Sequence, residues 1–513
     1  HQTPESLAKT LTPVVEEVVT PKRRQFTIAD EIGEVPLLPI YKQFLALDSN
    51  LRRFNQAVCL EVPNDINHDQ ATTFFKKLIA YHSALRLRTQ GTKVQTQFII
   101  DQYDQAAEFD LPIIDLSNQN TQSQNQAIEK ILHDLSDELD PAVAGGIMTA
   151  KWIDRGNHQS SLILWVVHHF AVDGVSWRIL VEDLNYLTNH PHSEELPPHT
   201  ESLKNWGAWL HQQAQAGAMR NEDELWKKQY QNTNTLPVHH QFTKEQNTLE
   251  RLALTTGELN ITNTERLLQT PAVYRAQIND VLLTALGIAL RSWSKKCFGF
   301  ELGDPLISLE GHGRESDLDF SRTVGWFTTM FPVKLAVGKL DLSHRDAIGS
   351  ALKIIKEQLR SIPNKGLGYG VLRYLDQDSL VYNDVDQIEP EITFNYLGRF
   401  GSQQKDADAK QWKMGFGGLL ASADDPKRNR GSLLDFNAQI NTQGRFEFFI
   451  SYCELAHSSK EIKLLAEVFK ESLLNLIEHC LEHPLDNRWS PSDFSALTTS
   501  QMQTLDQAVL DQI

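Results

Sequence analysis

The chain has 513 residues, a mass of 58.3 kDa and an ordinary globular composition, with 41% hydrophobic and 22% charged residues. Because 66 acidic residues face 49 basic ones, the formal net charge is −17, which argues against nucleic acid or an anionic lipid surface as a partner. At about 150 residues per domain, the length suggests roughly three domains or two large ones. No apolar run approaches the ~18 residues that a membrane-spanning helix needs.

The cysteines indicate a reducing compartment. The four of them are Cys59, Cys297, Cys453 and Cys480, and no two have CxxC spacing. Such a set is too small for a disulfide framework and wrongly spaced for zinc, so we expect a cytoplasmic protein. The chain begins with His1 and has no signal-peptide pattern, so we expect it to be a piece of a longer polypeptide.

The two ends of the chain differ from its middle. Residues 1–26 contain a short helix-compatible segment and then two prolines and a basic cluster, which predicts the end of another unit and a linker. Residues 491–513 form a polar, helix-compatible tail. Between them we predict two α/β lobes, an N-terminal one at 27–200 and a C-terminal one at 201–490.

The first half mixes helices and strands. Apolar periodicity predicts helices at 68–85 and 122–139, and a further helix from about Ser176. The segments predicted as strands are 94–100, 146–153 and 161–170. The last of these is apolar on both faces, as expected for a strand inside a covered sheet.

The second half repeats this mixture after a polar helical connection at 202–217. Strands are predicted at 251–259, 389–398, 434–440 and 446–454, and in the segment 305–315, which runs from a strand into a loop. Helices are predicted at 278–293, 346–362 and 461–483, the first of them largely buried. The segment 402–432 is too long and polar for a tight turn, so we predict a mobile or bridging loop.

A histidine pair, His168 and His169, marks the end of the apolar strand and precedes Asp173 and a predicted helix. Because consecutive strand residues point to opposite faces, only one of the two imidazoles can readily face a given cavity. Core packing of both histidines and a functional role for one are about equally favoured by this pattern alone. A metal site is less favoured, since the spacing offers no third ligand. Asp173 and Ser176 are both candidate helix N-caps.

A second polar loop follows another apolar strand, with Glu310 at its start and glycines on both sides of His312. These glycines allow a sharp turn or a close approach of the backbone. A carboxylate shielded from water there would have a raised pKa and could exchange protons near neutrality. Taken alone, such a loop is more often simply solvated.

Two other patterns exclude function classes. The glycines of 366–370 are spaced GxGxG rather than GxGxxG and follow no strand, which argues against a dinucleotide site. Ser176 has no GxSxG context, which argues against a serine hydrolase. Trp177 and Trp326 are most simply core aromatics.

Together these segments resemble one family, the epimerization domains of nonribosomal peptide synthetases, within the condensation-domain superfamily. The resemblance runs in order from about residue 28 over nearly the whole chain. It rests on Pro39-Ile40, HHFAVDGVSWRIL (168–180), YRAQINDVLLTAL (274–286), EGHGRE (310–315), VGWFTTMFPVKL (324–335), GLGYGVLRYL (366–375) and FNYLGR (394–399). The HHxxxDG element indicates only the superfamily, whereas SWRIL, EGHGRE and FNYLGR resemble the epimerization branch. The start of the chain resembles the last helix of a carrier domain.

The resemblance implies two chloramphenicol-acetyltransferase-like lobes arranged as a V, with a tunnel between them. The tunnel would admit the phosphopantetheine arm of an upstream carrier domain, bearing an aminoacyl or peptidyl thioester. A downstream condensation domain or synthetase would receive the product. The resemblance implies no metal and no intrinsic cofactor, because the thioester itself acidifies the Cα proton.

The resemblance also implies roles for residues. His169 and Glu310 would act as acid and base on opposite faces of Cα, and Tyr396 would donate a proton or stabilise the enolate. Asn395 and Ser176 would stabilise the enolate or support the site. Structural roles are expected for His168, Asp173 and Arg86, with Arg86 paired to Asp173. The alternatives are a condensation domain, in which His169 assists amide formation, and a non-catalytic docking module for carrier proteins.

Overall fold

The computed structural model of the protein describes residues 28–493, except for 48–51, 93–94, 104–108, 157–158, 192, 194–195, 199, 240–241, 339–345, 383–388, 400–410, 421–424 and 483–487. The predicted carrier-domain remnant at 1–26 lies outside the described residues. So does all of the predicted tail beyond Asp493.

The described residues form 14 strands in three sheets, together with 11 α-helices. The strands are β1 (Gly33–Val35), β2 (Asn55–Glu61), β3 (Leu87–Thr92), β4 (Gln95–Ile100), β5 (Ile113–Asp115), β6 (Met148–Asp154), β7 (Leu162–His168), β8 (Leu252–Glu258), β9 (Leu306–Gly311), β10 (Thr329–Lys334), β11 (Ile392–Arg399), β12 (Lys413–Leu420), β13 (Leu434–Ile440) and β14 (Phe446–Cys453). The helices are α1 (Pro39–Leu45), α2 (His68–Tyr81), α3 (Thr121–Glu138), α4 (Gly174–Asn189), α5 (Leu203–Gln215), α6 (Asp223–Tyr230), α7 (Ile261–Val273), α8 (Ile278–Phe298), α9 (Asp346–Arg360), α10 (Leu367–Tyr374) and α11 (Ser459–Glu482). The predicted alternation of helices and strands in both halves is confirmed.

A five-stranded sheet with the order β12-β2-β7-β6-β5 organises the first half. Its central strand β7 is buried at all seven positions, which confirms the predicted covered strand. Alternate side chains of β7 enter two separate cores. Ile163, Trp165 and Val167 belong to the main core, and Leu162, Leu164 and Val166 pack in a smaller core with α3. This two-sided burial explains why no polar alternation is visible in the sequence of β7.

A six-stranded sheet with the order β10-β9-β11-β13-β14-β8 organises the second half. Strand β11 is parallel to β9 and β13, and the remaining pairs are antiparallel. The long helices α8 and α11 pack against each other, and α11 also contacts β8 and β14. Most of α8 is buried, as predicted from its apolar sequence. The ends of β9 and β11 therefore lie next to each other in this sheet.

The segment predicted as a mobile or bridging loop does connect the two halves. Within it, β12 pairs antiparallel with β2, so residues from the second half become the edge strand of the first sheet. Lys413 lies opposite Glu61 and Met414 opposite Leu60. The bridging interpretation is confirmed for this strand, whereas 400–410 and 421–424 lie outside the described residues.

The glycine-rich segment at 366–370 forms a tight turn into α10. Asn364, Lys365 and Gly366 have φ angles of 46°, 48° and 85°, a run of three left-handed residues. A Cβ at position 366 would lie 2.0 Å from the Phe331 ring, so only glycine fits there. The glycines therefore serve backbone geometry and packing.

Among the described residues, no helix is both long and apolar enough to cross a membrane.

Arg86 is buried, with 1% of its surface exposed, and its guanidinium holds the local backbone together. It donates to the carbonyl oxygens of Ile79, Ala80 and Asp101 at 2.5, 2.8 and 3.0 Å. The expected pairing of Arg86 with Asp173 is therefore wrong. The carbonyls that end α2 and flank β4 take up its hydrogen bonds instead, so the structural role is retained through different partners.

We expect Arg86→Met to lower the free energy of unfolding by about 3–5 kcal/mol, because it removes a buried cation and leaves three carbonyl oxygens without a donor. The measurement is urea-induced unfolding followed by tryptophan fluorescence. Arg178→Met is the matched control, since Arg178 is largely exposed and, among the described residues, pairs with Glu182 one helical turn away. Equal unfolding midpoints for the two variants would contradict this assignment.

Candidate active site

The register of β2 and β7 separates the two histidines of the pair. Asn55 lies opposite His168, and Gln56 lies opposite Val167. His168 is fully buried, and its Nδ1 accepts a hydrogen bond from the Phe170 backbone at 3.2 Å. His169, two residues beyond Val167, projects on the same side of the sheet as Gln56. The expectation that only one imidazole faces a cavity follows from this alternation.

The His169 imidazole lies between two aromatic rings. It stacks on Phe54, with centroids 4.8 Å apart and planes 12° apart, and contacts Trp326 at 4.4 Å. Burial lowers the pKa of His169 to about 4, and the nearby positive charge of Arg428 acts in the same direction. The backbone of His169 and Val172 and the charge of Asp173 oppose this shift. The imidazole is therefore neutral at physiological pH.

Asp173 joins the two halves of the chain through one carboxylate. It caps α4 by accepting from the Ser176 backbone at 2.8 Å. Arg314 donates two hydrogen bonds to it, at 2.8 and 3.1 Å, and the Phe327 backbone donates a third. The partner that was expected to be Arg86 is thus Arg314, which lies in the EGHGRE segment. Both charged side chains are at most 7% exposed, so this is a buried, bidentate ion pair.

Ser176 is fully engaged in the same network. Its hydroxyl oxygen lies 2.8 Å from both Asp173 Oδ1 and the Gly325 carbonyl oxygen, either of which can accept its single hydrogen, and it accepts from the Gly325 backbone at 3.0 Å. Its own backbone N–H is bonded to Asp173. Since neither group is left for a substrate, the supporting role predicted for Ser176 fits the structure and an enolate contact does not. The helix begins at Gly174, two residues before the predicted start.

Glu310 lies on β9, next to Asn395 on β11. The two strands run parallel, with Phe394 opposite Leu309, and the Asn395 amide donates to Glu310 Oε2 at 2.8 Å. Glu310 is exposed by its accessible surface, although protein atoms lie around its carboxyl group. This protein environment raises the pKa of Glu310 to about 7, and the negative charge of Asp435 adds to the increase. The carboxyl group can therefore hold or release a proton near neutrality.

The backbone after Glu310 needs the glycine at position 313. Its φ angle is 69°, and a Cβ there would lie 1.7 Å from the Phe327 carbonyl oxygen. This close approach lets the loop turn back so that Arg314 reaches Asp173. The expectation from the sequence, a sharp turn or a close approach at these glycines, is confirmed at Gly313.

One apolar cleft is lined by neighbours of His169 and Glu310, although neither of these two residues lines it. It has an open volume of about 370 Å³ and lies between α1, α5, α10 and the segment leading into β10. Trp326, which contacts His169, lines this cleft. Met330, which lies opposite Glu310 across the β9–β10 pair, lines it as well. A histidine of the first half and a carboxylate of the second thus each adjoin a residue that lines this cleft.

Tyr396 follows Asn395 on β11, but its side chain packs against the main core rather than beside Glu310. It is partly buried against the main core and lies opposite Ala438 on β13. Burial raises the pKa of Tyr396, so its phenol stays protonated. Among the described residues, its hydroxyl makes no hydrogen bond. The structure brings Asn395 to Glu310, while the role of Tyr396 stays a prediction.

Three residues near the histidine and the carboxylate were not identified as site residues from the sequence. Gln56 contacts His169, Arg314 holds Asp173, and Trp326 packs on the imidazole while also belonging to the core. Arg314 was visible inside the EGHGRE motif, whereas nothing in the sequence marks Gln56. In the part of the chain that the structure describes, no group of three or more His, Cys, Asp or Glu side chains is arranged to hold a metal ion.

Comparison with known proteins identifies relatives over nearly the full length. A family model described as a condensation domain matches residues 32–497. One of the linear gramicidin synthase proteins of Brevibacillus parabrevis is 35% identical over 502 residues, which cover 93% of this chain and 6% of that protein. Gramicidin S synthase 1 of Brevibacillus brevis is 32% identical over 482 residues, covering 90% of this chain and 42% of that protein. The chain spans less than half of either curated relative.

Solved structures agree with these relatives. The epimerization domain from the third module of tyrocidine synthetase B is 28% identical, with a TM-score of 0.76, covering 90% of this chain and 98% of that one. The condensation domain from Monacolin K polyketide synthase is 13% identical, with a TM-score of 0.64 and coverage of 87% and 97%, and this likeness shows the fold alone. The chain belongs to the condensation-domain family of the nonribosomal peptide synthetases and has its mixed α/β, chloramphenicol-acetyltransferase-like fold.

Proposed function

We propose that this chain is an epimerization domain. It inverts Cα of an aminoacyl or peptidyl thioester that is tethered to the phosphopantetheine arm of an upstream carrier domain, and it produces a D/L mixture for a downstream condensation domain or synthetase. The observation that carries the proposal is the Glu310 carboxyl group held by Asn395 on the adjacent strand, with a pKa of about 7 that suits proton transfer at neutral pH. The likeness to an epimerization domain of tyrocidine synthetase B supports the same function.

Inversion of a carbon centre needs one group to remove a proton and another to deliver one from the opposite side. With a His169 pKa of about 4 and a Glu310 pKa of about 7, the two groups together hold one proton between these values. In that state the proton lies mainly on Glu310 and the imidazole is neutral. His169 is then the base, and Glu310 is the acid.

The proposed reaction has two steps. Neutral His169 removes the Cα proton, and the electrons of the broken C–H bond move into the thioester carbonyl to form an enolate. Protonated Glu310 then delivers its proton to the other face of Cα. In the reverse direction, from D to L, the Glu310 carboxylate removes the Cα proton and the His169 imidazolium delivers one. This is the protonation state in which the forward direction ends. No intrinsic cofactor is needed, because the thioester acidifies the Cα–H bond.

Neighbouring residues support this pair. Asn395 orients the Glu310 carboxyl through its 2.8 Å hydrogen bond. Arg314, Asp173 and Ser176 hold the start of α4 against the second half, which fixes the turn that carries His169. For Tyr396 we retain two roles, proton donor or enolate stabiliser, since its phenol stays neutral.

The first experiment measures hydrogen exchange and inversion. A phosphopantetheinylated carrier domain is loaded with each of a panel of L-aminoacyl groups and incubated with the domain in deuterated water. We expect deuterium at Cα together with a D/L mixture. Glu310→Gln and His169→Ala should each slow inversion by ~10²–10⁴-fold, the usual contribution of a general acid or base.

Two residues of the same loop provide matched controls for these variants. Glu315→Gln and His312→Gln change partly exposed groups that pair with each other and, for Glu315, with Lys365. Both should keep wild-type inversion rates. A wild-type rate of inversion in Glu310→Gln or His169→Ala would refute the proposal. A dipeptide formed from two loaded carriers, without exchange, would instead establish the condensation alternative.

The pH dependence of the inversion rate tests whether His169 and Glu310 share one proton. Because the pair must hold one proton, inversion should be fastest between about pH 4 and pH 7 and should fall as pH rises through the Glu310 pKa of about 7. Initial rates of L-to-D inversion at pH 3–9, corrected for thioester hydrolysis, give this profile. A rate that climbs steadily through pH 8 would contradict the assignment of Glu310 as the protonated partner.

In Asn395→Ala, the fall of the inversion rate at high pH (the falling limb of the profile) should occur at a higher pH than in the wild-type domain. The amide N–H of Asn395 stabilises the ionised carboxylate, so its removal raises the Glu310 pKa further. The same inversion assay measures this shift. Thr393→Ala, a change two residues away on β11, is the control and should leave the limb in place. A limb that moves to lower pH in Asn395→Ala would exclude this role.

A further inference from the structure

Gln56 forms a hydrogen-bonded connection between His169 and the core. Its Nε2 lies 2.8 Å from His169 Nε2, and its Oε1 accepts from the Trp177 indole N–H at 2.8 Å. Trp177 lies in the first turn of α4 and is fully buried. Gln56 shares a sheet face with His169 because it is registered against Val167 on β7.

The Trp177 contact fixes which way the amide of Gln56 points. An indole N–H can only donate, so the amide oxygen must face Trp177 and the NH2 group must face His169. The NH2 group can only donate, so His169 Nε2 must accept and cannot carry a hydrogen. A neutral imidazole has one ring hydrogen, which is therefore on Nδ1. The hydrogen-bond chemistry of three side chains thus determines the tautomer.

We propose that Gln56, held by Trp177, is a positioning residue that keeps His169 in the Nδ1–H tautomer, with Nε2 as its proton-accepting atom. This inference rests on the proposed function for its catalytic meaning. Since Nε2 has a single lone pair, Gln56 must give up its hydrogen bond when the substrate Cα–H approaches. Gln56 therefore both prepares the base and occupies it in the resting domain.

Gln56 makes the hydrogen bond to Nε2, and among the described residues Nδ1 has no partner that meets hydrogen-bond geometry. The backbone of His169 and Val172 also acts on the imidazole and favours an N–H on it, which the Nδ1–H tautomer provides. Stacking on Phe54 and contact with Trp326 restrict the ring plane without discriminating between its nitrogens. The charged groups that act on the imidazole are Asp173, which favours the protonated form, and Arg428, which disfavours it. Protonation at Nε2 would point an N–H at the amide NH2 of Gln56. Gln56 therefore opposes the imidazolium form as well as the Nε2–H tautomer.

Nitrogen NMR of the domain labelled with ¹⁵N-histidine tests the inference without substrate. The signals of His169 among the 18 histidines are identified by their loss in His169→Gln. At pH 7 we expect a protonated Nδ1 and an unprotonated Nε2 in the wild-type domain. Gln56→Met, which has similar length but no donor, should shift the population toward the Nε2–H tautomer. A wild-type Nε2–H tautomer, or an unchanged tautomer in Gln56→Met, overturns the proposal.

Gln56→Glu tests the proposal through the pH dependence of the reaction. A purely structural role of Gln56 would leave that dependence unchanged. The carboxylate can still accept from Trp177, and it now favours an N–H at His169 Nε2. We expect the acid limb of the inversion profile to rise by at least about one pH unit, while the Glu310 limb is retained. An unmoved acid limb in a folded variant overturns the proposal.

The two hypotheses fail in different ways. If His169→Ala inverts Cα at the wild-type rate, the proposed function fails, and the tautomer measured by NMR is unaffected. If His169→Ala is inactive but Gln56→Met keeps the wild-type tautomer, the proposed function stands and the role of Gln56 is wrong. If Gln56→Met does not fold, the acid limb of Gln56→Glu tests the same contact.

Discussion

The buried pair of Asp173 and Arg314 is the interaction on which the arrangement of the site depends. Asp173 ends the turn after the histidine pair, and Arg314 ends the loop after Glu310, so one bidentate contact joins the two segments. The Phe327 backbone and the Ser176–Gly325 hydrogen bonds add further links across the same boundary. A charge pair buried this deeply is costly unless all its hydrogen bonds are made, which favours a single relative position of the two segments.

That position determines the protonation of the two proposed catalytic groups. The pKa of His169 is lowered because aromatic rings and protein surround the imidazole, whereas the pKa of Glu310 is raised by desolvation from the protein atoms around its carboxyl group and by the negative charge of Asp435. The usual order is thereby reversed, since the carboxyl group has a higher pKa than the imidazole. Two groups whose environments shift their pKa values in opposite directions are typical of acid–base pairs. A neutral base and a protonated acid can then coexist at neutral pH.

The bridging strand β12 also brings the second half of the chain close to His169. It places a strand from late in the sequence on the edge of the first sheet, next to β2, which carries Gln56. The chain then returns to the second sheet through the segment with Arg428, whose guanidinium lies 5.2 Å from the Phe54 ring. The second half thus contributes to the environment of His169 both through Trp326 and through this return segment.

The sequence by itself determined the local structure and the candidates. The doubly apolar strand β7, the helices and the sharp turn at Gly313 follow from periodicity and glycine geometry, which act over a few residues. The motif order was sufficient for the family, and it named His169, Glu310 and Asn395 as candidate site residues. Only the tertiary structure decided the partners. Arg314 rather than Arg86 meets Asp173, Gln56 meets His169, and Asn395 rather than Tyr396 meets Glu310. Such contacts depend on strand register and on the path of distant loops, and local sequence patterns carry no information about either.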